Sequence, residues 1–330
     1  MVTIDTIPRQ LPIVGIVSTA MHRHNENLGT ASVGRAAALA VIVLFPGCGP
    51  QGGDPHAERD TPVGSSHQGA VAGLPITVTD ALGRTLAFQA PPSRIVSLVP
   101  AATRSLEALG AQDLLVGRTA YDTTASLAGL PSVGGGLQPS LEVLASLRPD
   151  LVILYAGESD RATPLHLDQL GIRYFAVRLD RIADVRKLIR HLGLVTGRGH
   201  QADSLLAHMA SRFQEIQRLV AGRPPVRVAY LLGGNPPWVA GPGTFIHELI
   251  AAAGGENPFA DLKAPYGPVS PEEFLARRID LVLAPEGAEV FLPSSSIRVV
   301  RVSPDMELPG PDLAHFAREL ALLLHPQVHR

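Results

Sequence analysis

Two carboxylates occupy matched positions in a repeated unit. Ser140-Leu141-Glu142 recurs as Ser270-Pro271-Glu272 at an offset of 130 residues, and the register persists through Arg148/Arg278, Asp150/Asp280, Leu151/Leu281 and Val152/Val282. In each copy the serine can cap a helix whose first turn holds the glutamate. The helix dipole alone explains an acid in a first turn; what sets these two apart is that they recur as a pair at equivalent positions of the repeat. Glu273 instead completes a capping box with Ser270.

A second set is aromatic. Tyr121, Tyr155, Trp238 and Tyr266 are predicted to fall in loops that follow strands, in a chain with only 5% aromatic residues. Four such side chains at strand ends suit a flat, apolar ligand better than scattered core packing does. Arg118 and Arg178 also follow strands. Solvent exposure is their simplest reading, and an inward-facing pair would suit an anionic ligand.

Other chemistries fail on inspection. His247-Glu-Leu-Ile-Ala251 lacks the second histidine of a zinc-protease helix, Gly241-Pro-Gly243 lacks the third glycine of a dinucleotide fingerprint, and no phosphate-binding loop or serine-nucleophile elbow is present. The twelve histidines are dispersed, and the single cysteine excludes an internal disulfide and a cysteine-built metal site. A net charge of −2 without a Lys/Arg run argues against nucleic acid as a partner.

The elements that must position these residues are those of an α/β protein. Arg94-Ile-Val-Ser-Leu98 parallels Arg227-Val-Ala-Tyr-Leu231 upstream of the repeated unit, so the expected fold is two similar α/β lobes with mostly parallel sheets and a ligand cleft between them. Residues 74–179 form the N-terminal lobe, opening with a hairpin around Gly83. Residues 226–330 form the C-terminal lobe. Between them, residues 180–225 contain no proline before Pro224 and space Ala202, Leu205, Leu206, Met209, Phe213 and Ile216 by threes and fours. That spacing predicts a long amphipathic helix bridging the lobes.

Arg94-Ile-Val-Ser-Leu-Val-Pro-Ala-Ala-Thr103, Pro139-Ser-Leu-Glu142 with Arg148-Pro-Asp-Leu-Val-Ile153, Asn235-Pro-Pro-Trp238, Ala253-Gly-Gly-Glu-Asn257 and Val269-Ser270 to Glu272 together resemble the substrate-binding proteins of cobalamin and iron-chelate ABC importers. The resemblance spans the chain from Leu74 onward. It implies a monomer that carries out no catalysis, needs no cofactor, captures a corrinoid or other metal chelate and hands it to a permease dimer. Glu142 and Glu272 would dock on the permease, and Pro100, Ala101, Arg118, Tyr121, Tyr155, Trp238 and Tyr266 would bind the ligand. Cobalamin or a related corrinoid is the first expectation, and a ferric siderophore or haem the second. A chelatase-like enzyme on the same fold would need a converging His or Glu pair in the cleft. A surface adhesin would have no use for both glutamates and the aromatics. Two departures from the family stand out: Gly134-Gly-Gly136 replaces an aromatic before Ser-Leu-Glu and is expected to leave room, and Arg104 replaces a glutamate.

The N-terminal 73 residues read differently. Ala36-Ala-Ala-Leu-Ala-Val-Ile-Val-Leu-Phe45 is too short to span a bilayer but suits the apolar stretch of a signal peptide. Met21 is the preferred start, because a leader beginning at Met1 would contain Asp5 and Glu26. The stretch ends at Pro46-Gly47-Cys48, which resembles a bacterial lipoprotein cleavage site, although Phe45 and Pro46 depart from the usual pattern. Residues 1–48 are therefore expected to be a leader, Cys48 the point of lipid attachment, and residues 49–73, rich in Gly, Pro, Ser and His, a flexible linker to a membrane-anchored extracytoplasmic domain. Mass spectrometry of the membrane fraction is expected to find a mature chain beginning at acylated Cys48, and Cys48→Ser is expected to release the protein from membranes.

Overall fold

The computed structural model describes residues 75–157, 160–292 and 296–329; the leader, Cys48 and the linker lie outside them. The chain enters through the antiparallel hairpin β1 (Ile76–Thr79) and β2 (Thr85–Phe88), as expected. Its turn is fastened to the edge of the first lobe where Ala81 N donates to Ala176 O at 2.9 Å.

The N-terminal lobe is a four-stranded parallel sheet in the order β4-β3-β5-β6, formed by β3 (Ile95–Ser97), β4 (Leu115–Gly117), β5 (Leu151–Tyr155) and β6 (Tyr174–Val177). Helices α1 (Pro100–Ala108), α2 (Leu141–Ser146) and α3 (Ala162–Gln169) connect the strands. The C-terminal lobe repeats the plan with parallel β7 (Val226–Gly233), β11 (Leu281–Pro285) and β12 (Val299–Val302), and β9 (Gly255–Glu256) pairs with β7. It departs from a wholly parallel sheet on one side. There β8 (Trp238–Ala240) and β10 (Tyr266–Pro268) extend β7 in antiparallel fashion. Helices α6 (Phe245–Ala252), α7 (Pro271–Ala276) and α8 (Leu313–Leu324) complete this lobe.

One clamp explains why the repeated motif recurs. In the first copy Asp150 accepts from the backbone N–H groups of Ser93 and Arg94, while the Arg94 guanidinium donates to the carbonyls of Leu147 and Arg148. In the second, Asp280 accepts from Arg227 N at 2.9 Å and Arg227 Nε donates to Arg278 O at 2.6 Å. Each Arg/Asp pair thus ties the start of one central strand to the start of its neighbour. The helix that precedes the second strand is closed off in the same stroke.

The bridge contains the expected long amphipathic helix and a further helix before it. It is two helices, α4 (Ile182–Val195) and α5 (Gly199–Val220), broken at Gly197, whose φ of +69° is a left-handed conformation that glycine adopts without a Cβ penalty. Helix α4 packs on α1 of the first lobe, and α5 packs on α8 of the second and on α4 itself. At 22 residues α5 runs about 33 Å. Among the described residues no helix is long and apolar enough to cross a membrane.

Alternation along the strands decides what each face buries. Ile95, Leu151 and Ile153 from one sheet and Val228, Tyr230, Leu281 and Leu283 from the other join Leu188, Leu192, Met209 and Ile216 of the bridge in a single buried cluster. The intervening residues serve separate outer cores. Val96, Val152 and Leu154 pack under Leu144 and Leu167 of α2 and α3, and Ala229, Leu231 and Val282 pack under Phe259 and Phe274.

Candidate functional site

The inner sheet faces carry the aromatics singled out above, although the local geometry is not the expected one. Tyr121 alone lies in a loop after a strand. Tyr155 is the last residue of β5, Trp238 the first of β8 and Tyr266 the first of β10. Tyr155 has the parity of Leu151 and Ile153, so it points to the inner face. In the β8–β10 pair, Trp238 lies opposite Pro268 and Ala240 opposite Tyr266, which puts both aromatics on the face that buries Ala240 in the shared cluster. Tyr155, Trp238 and Tyr266 are all half-buried against that cluster. Three of the four aromatics therefore converge on the lobe junction from both sides.

Tyr121 is 38% exposed on a loop that is closely held. Asp122 is buried and its Oδ2 accepts from Thr119 N and Thr119 Oγ1, both at 2.8 Å. Burial raises the Asp122 carboxyl above the ordinary range, against the lowering effect of these hydrogen bonds. Arg118 does not reach outward as a free cation: its Nη1 donates to the carbonyls of Thr119 and Asp122 at 3.1 and 3.4 Å, which places it beneath the loop that presents Tyr121. Arg178 is exposed and paired with Asp180 at 2.9 Å.

Gly136 has a steric reason that the sequence does not reveal. A Cβ there would collide with the carbonyl oxygen of Leu98, so Gly136 lies against the residue that follows β3, whereas a Cβ on Gly135 would meet nothing within 4 Å. An aromatic at this position would require the backbone to move.

Pro100 and Ala101 are buried at the start of α1. The backbone carbonyl of Ala101 lies close to the other lobe, since a Cβ built on Gly310 would come within 3.9 Å of it. Arg104, one turn along α1, bridges the lobes with Nη2 2.9 Å from Asp305 and Nη1 3.4 Å from Asp312. A second crossing joins Arg181 Nε to Glu248 Oε1 at 3.0 Å, with Ile182 N donating to Glu248 Oε2 at 2.8 Å.

Sequence reasoning missed the polar floor of the junction. Tyr155 donates to Asp180 Oδ1 at 3.0 Å, and Tyr230, fully buried, donates to Glu307 Oε1 at 3.4 Å. Glu307 is itself fully buried, and its Oε2 has no hydrogen-bond partner. Burial pushes its carboxyl up to about 7, against the opposing effect of the Tyr230 hydrogen bond. The phenols of Tyr155, Tyr230 and Tyr266 are all raised, by burial first; Asp180 adds to this at Tyr155, Glu307 at Tyr230, and Tyr155 followed by the two carboxylates at Tyr266, so all three remain protonated donors at physiological pH. Nothing in Ser303-Pro-Asp-Met-Glu307 marks the last residue as buried, because a glutamate in a Pro-rich turn reads as solvated.

The two repeat glutamates are exposed in the first turns of α2 and α7. Ser140 Oγ accepts from Val143 N at 3.4 Å and Ser270 Oγ from Glu273 N at 3.0 Å, so both serines cap as expected. Glu273 does not complete a capping box. Its carboxylate pairs with Arg277 at 2.8 Å. Among the described residues no three His, Cys, Asp or Glu side chains gather as a metal site.

Two α/β lobes on a helical bridge, with aromatic side chains and phenols gathered at the lobe junction, define a two-lobed ligand-binding fold. Residues 95–289 match the family model described as periplasmic binding protein. A cobalamin-binding protein of Halobacterium salinarum is 31% identical over 281 residues, covering 79% of this chain and 72% of its own. Among solved structures, the periplasmic vitamin B12-binding protein of Vibrio cholerae superposes with a TM-score of 0.62 at 23% identity, over 73% of this chain and 99% of its own. The apo periplasmic haem-binding protein of a Roseiflexus species superposes at 0.64 and 24% identity, over 72% and 99%. The chain belongs to the periplasmic binding protein family.

Glu307 makes stability depend on pH with a definite sign. Its folded-state value lies above the ordinary 4.5, so its contribution is complete below about 4.5 and is lost as pH rises through about 7. The parent protein is expected to lose up to about 3 kcal/mol from this group between pH 4.5 and 8. In Glu307→Gln that slope should flatten when urea midpoints are compared across the range. Taking the difference between variant and parent cancels Asp122 and His191, which titrate alike in both.

Proposed function

We propose that this protein is an extracytoplasmic solute receptor that captures cobalamin or a related corrinoid between its lobes and delivers it to a dimeric ABC permease as a monomer, making and breaking no bond. The observation that carries the reading is the convergence of Tyr155, Trp238 and Tyr266 on the inner faces of both sheets, with Tyr121 presented at the rim. A broad macrocycle buries enough apolar area between such walls to be held without covalent chemistry. The relative from Halobacterium salinarum, named for cobalamin, supports this choice of ligand. The haem-binding structural neighbour keeps a second reading, haem or a ferric siderophore, in view.

Glu142 and Glu272 serve the second half of the task. Each is exposed, each sits in the first turn of a serine-capped helix, and the helices are equivalent in the two lobes, a display suited to paired basic sites on a permease. Cys48 would tether the domain to the membrane through the linker.

Trp238 is the only tryptophan, so ligand arrival can be read directly from it. Titration with cyanocobalamin is expected to quench its fluorescence, and Trp238→Ala to lose on the order of 1 to 3 kcal/mol of binding by calorimetry. Binding of haem or a ferric siderophore with no response to cyanocobalamin would move the assignment to the second reading. Glu142→Ala with Glu272→Ala is expected to abolish uptake by cells while leaving cyanocobalamin affinity unchanged. Loss of affinity in that double variant would remove both residues from the docking role.

A further inference from the structure

The solvent side of α4 is basic. Arg186, Lys187 and Arg190 are exposed there, three and four residues apart, and their side chains form no hydrogen bond or ion pair among the described residues. An open crevice joins this side of α4 to the hairpin, lined among others by Thr79 of β1, Phe175 and Arg178 at β6, and Asp184, Lys187 and His191 of α4. Over the hairpin (76–88) and residues 173–195, seven Lys and Arg side chains stand against three carboxylates, in a chain whose net charge is −2. Arg84 pairs with Asp80 at 2.7 Å, Arg178 with Asp180 at 2.9 Å, and Arg181 with Glu248 of the other lobe. Arg173 has neutral partners: Nη1 donates to Ala87 O at 3.3 Å, and the guanidinium carbon lies 5.1 Å from the centre of the Phe88 ring. Arg173, Arg186, Lys187 and Arg190 are therefore left against Asp184 alone. The imidazole of His191 registers the excess, since burial first, then Lys187 and Arg190, hold it below its ordinary value with no carboxylate acting against them.

We propose that this face, α4 with the adjoining hairpin, docks on an anionic bilayer, its partners being the phosphate groups of acidic lipids. The proposal rests on the extracytoplasmic reading but on neither the identity of the ligand nor the acylation of Cys48. Three features favour a lipid surface. The strands of the hairpin expose only Thr77, Thr79, Thr85 and Ala87 and bury Val78, Leu86 and Phe88, so nothing beside the cations repels phosphate. No exposed residue of α4 or of the hairpin is aromatic, so the face offers no platform on which nucleobases could stack, whereas Leu194, one turn beyond Arg190, is exposed and can enter the headgroup boundary. Finally, β1 is the first element after the linker, and α4 packs against it, so the basic face adjoins the point where the linker enters. A few cations attract an acidic leaflet only within a Debye length, and salt weakens them. A tether raises the effective concentration of the surface, so a contact too weak to retain a free protein orients a tethered one.

The test uses the Cys48→Ser protein, so that no acyl chain contributes. It is sedimented with vesicles of phosphatidylcholine alone and with vesicles of equal parts phosphatidylcholine and phosphatidylglycerol, at low salt and again with added sodium chloride. Binding is expected to the acidic vesicles only, and to weaken as salt is added. Reversing the face, with Arg186→Glu, Lys187→Glu and Arg190→Glu together, is expected to lower that partitioning at least about tenfold. A control reverses three exposed cations of the C-terminal lobe, with Lys263→Glu, Arg298→Glu and Arg318→Glu together. It changes the net charge equally and is expected to keep most of the binding. A similar loss in both triple variants, or in neither, overturns the assignment of the face. No binding to acidic vesicles, or equal binding to both kinds, overturns the proposal itself. The α4 cations make no described side-chain bond, so their reversal is expected to leave the thermal midpoint in place. Should it fall, the same comparison with Gln in place of Glu at all six positions decides between the outcomes. Failure of cyanocobalamin to bind would remove the corrinoid reading and leave every arm of this test as it stands.

Discussion

Leu151 and Ile153 from one sheet and Val228, Tyr230 and Leu283 from the other point into the same buried apolar mass, together with Leu188, Met209 and Phe316 from the helices. Fully burying each such side chain is worth about 1.5 to 3 kcal/mol relative to leaving it exposed. The lobes therefore cannot part without returning a continuous core to water, even though the chain passes between them only once, through α4 and α5. Their relative position is a packing consequence. Every feature of the candidate site is placed by it.

Polar contacts act at the rim of that core and set orientation more than stability. Arg104 with Asp305 and Asp312 is a partly exposed cluster, with side-chain exposures of 28%, 45% and 51%, and exposed ion pairs contribute at most about 1 kcal/mol each. What the cluster does is hold residues 304–312 against α1. Glu307, carried by that segment, is brought beside Tyr230 as a result. The replacement of a glutamate by Arg104, a departure at the level of sequence, thus has a structural answer: its partners across the junction are acids.

The loop that presents Tyr121 is organised by the same economy. Arg118 and Asp122 each satisfy backbone groups within residues 118–122, and Ala120 N donates to Gly134 O at 2.8 Å, tying the loop to the glycine segment that lies on Leu98. A side chain presented from a loop held in this way has little conformational freedom left to lose. Arg118 is then a support for Tyr121, and the opposing roles of neighbouring residues follow from which of them the loop can afford to expose.

The duplicated Ser-x-Glu units, the recurring Arg and Asp positions, the hairpin and the alternation of strand and helix in two similar lobes were legible in the sequence, because each depends on local periodicity or on the repeat itself. Glu142 and Glu272 were found for the same reason: capping fixes a first-turn residue locally. The break of the bridge at Gly197 and the antiparallel extension that carries Trp238 and Tyr266 were less visible, since a lone glycine and three-residue strands leave weak periodic signals. Tertiary structure alone decided that Gly136 meets Leu98, that Arg118 turns back onto its own loop, and that Glu307 lies buried beside Tyr230. A side chain's charge is written in the sequence, but its solvation is not. Solvation depends on which distant segments close over it, and here those segments belong to opposite lobes.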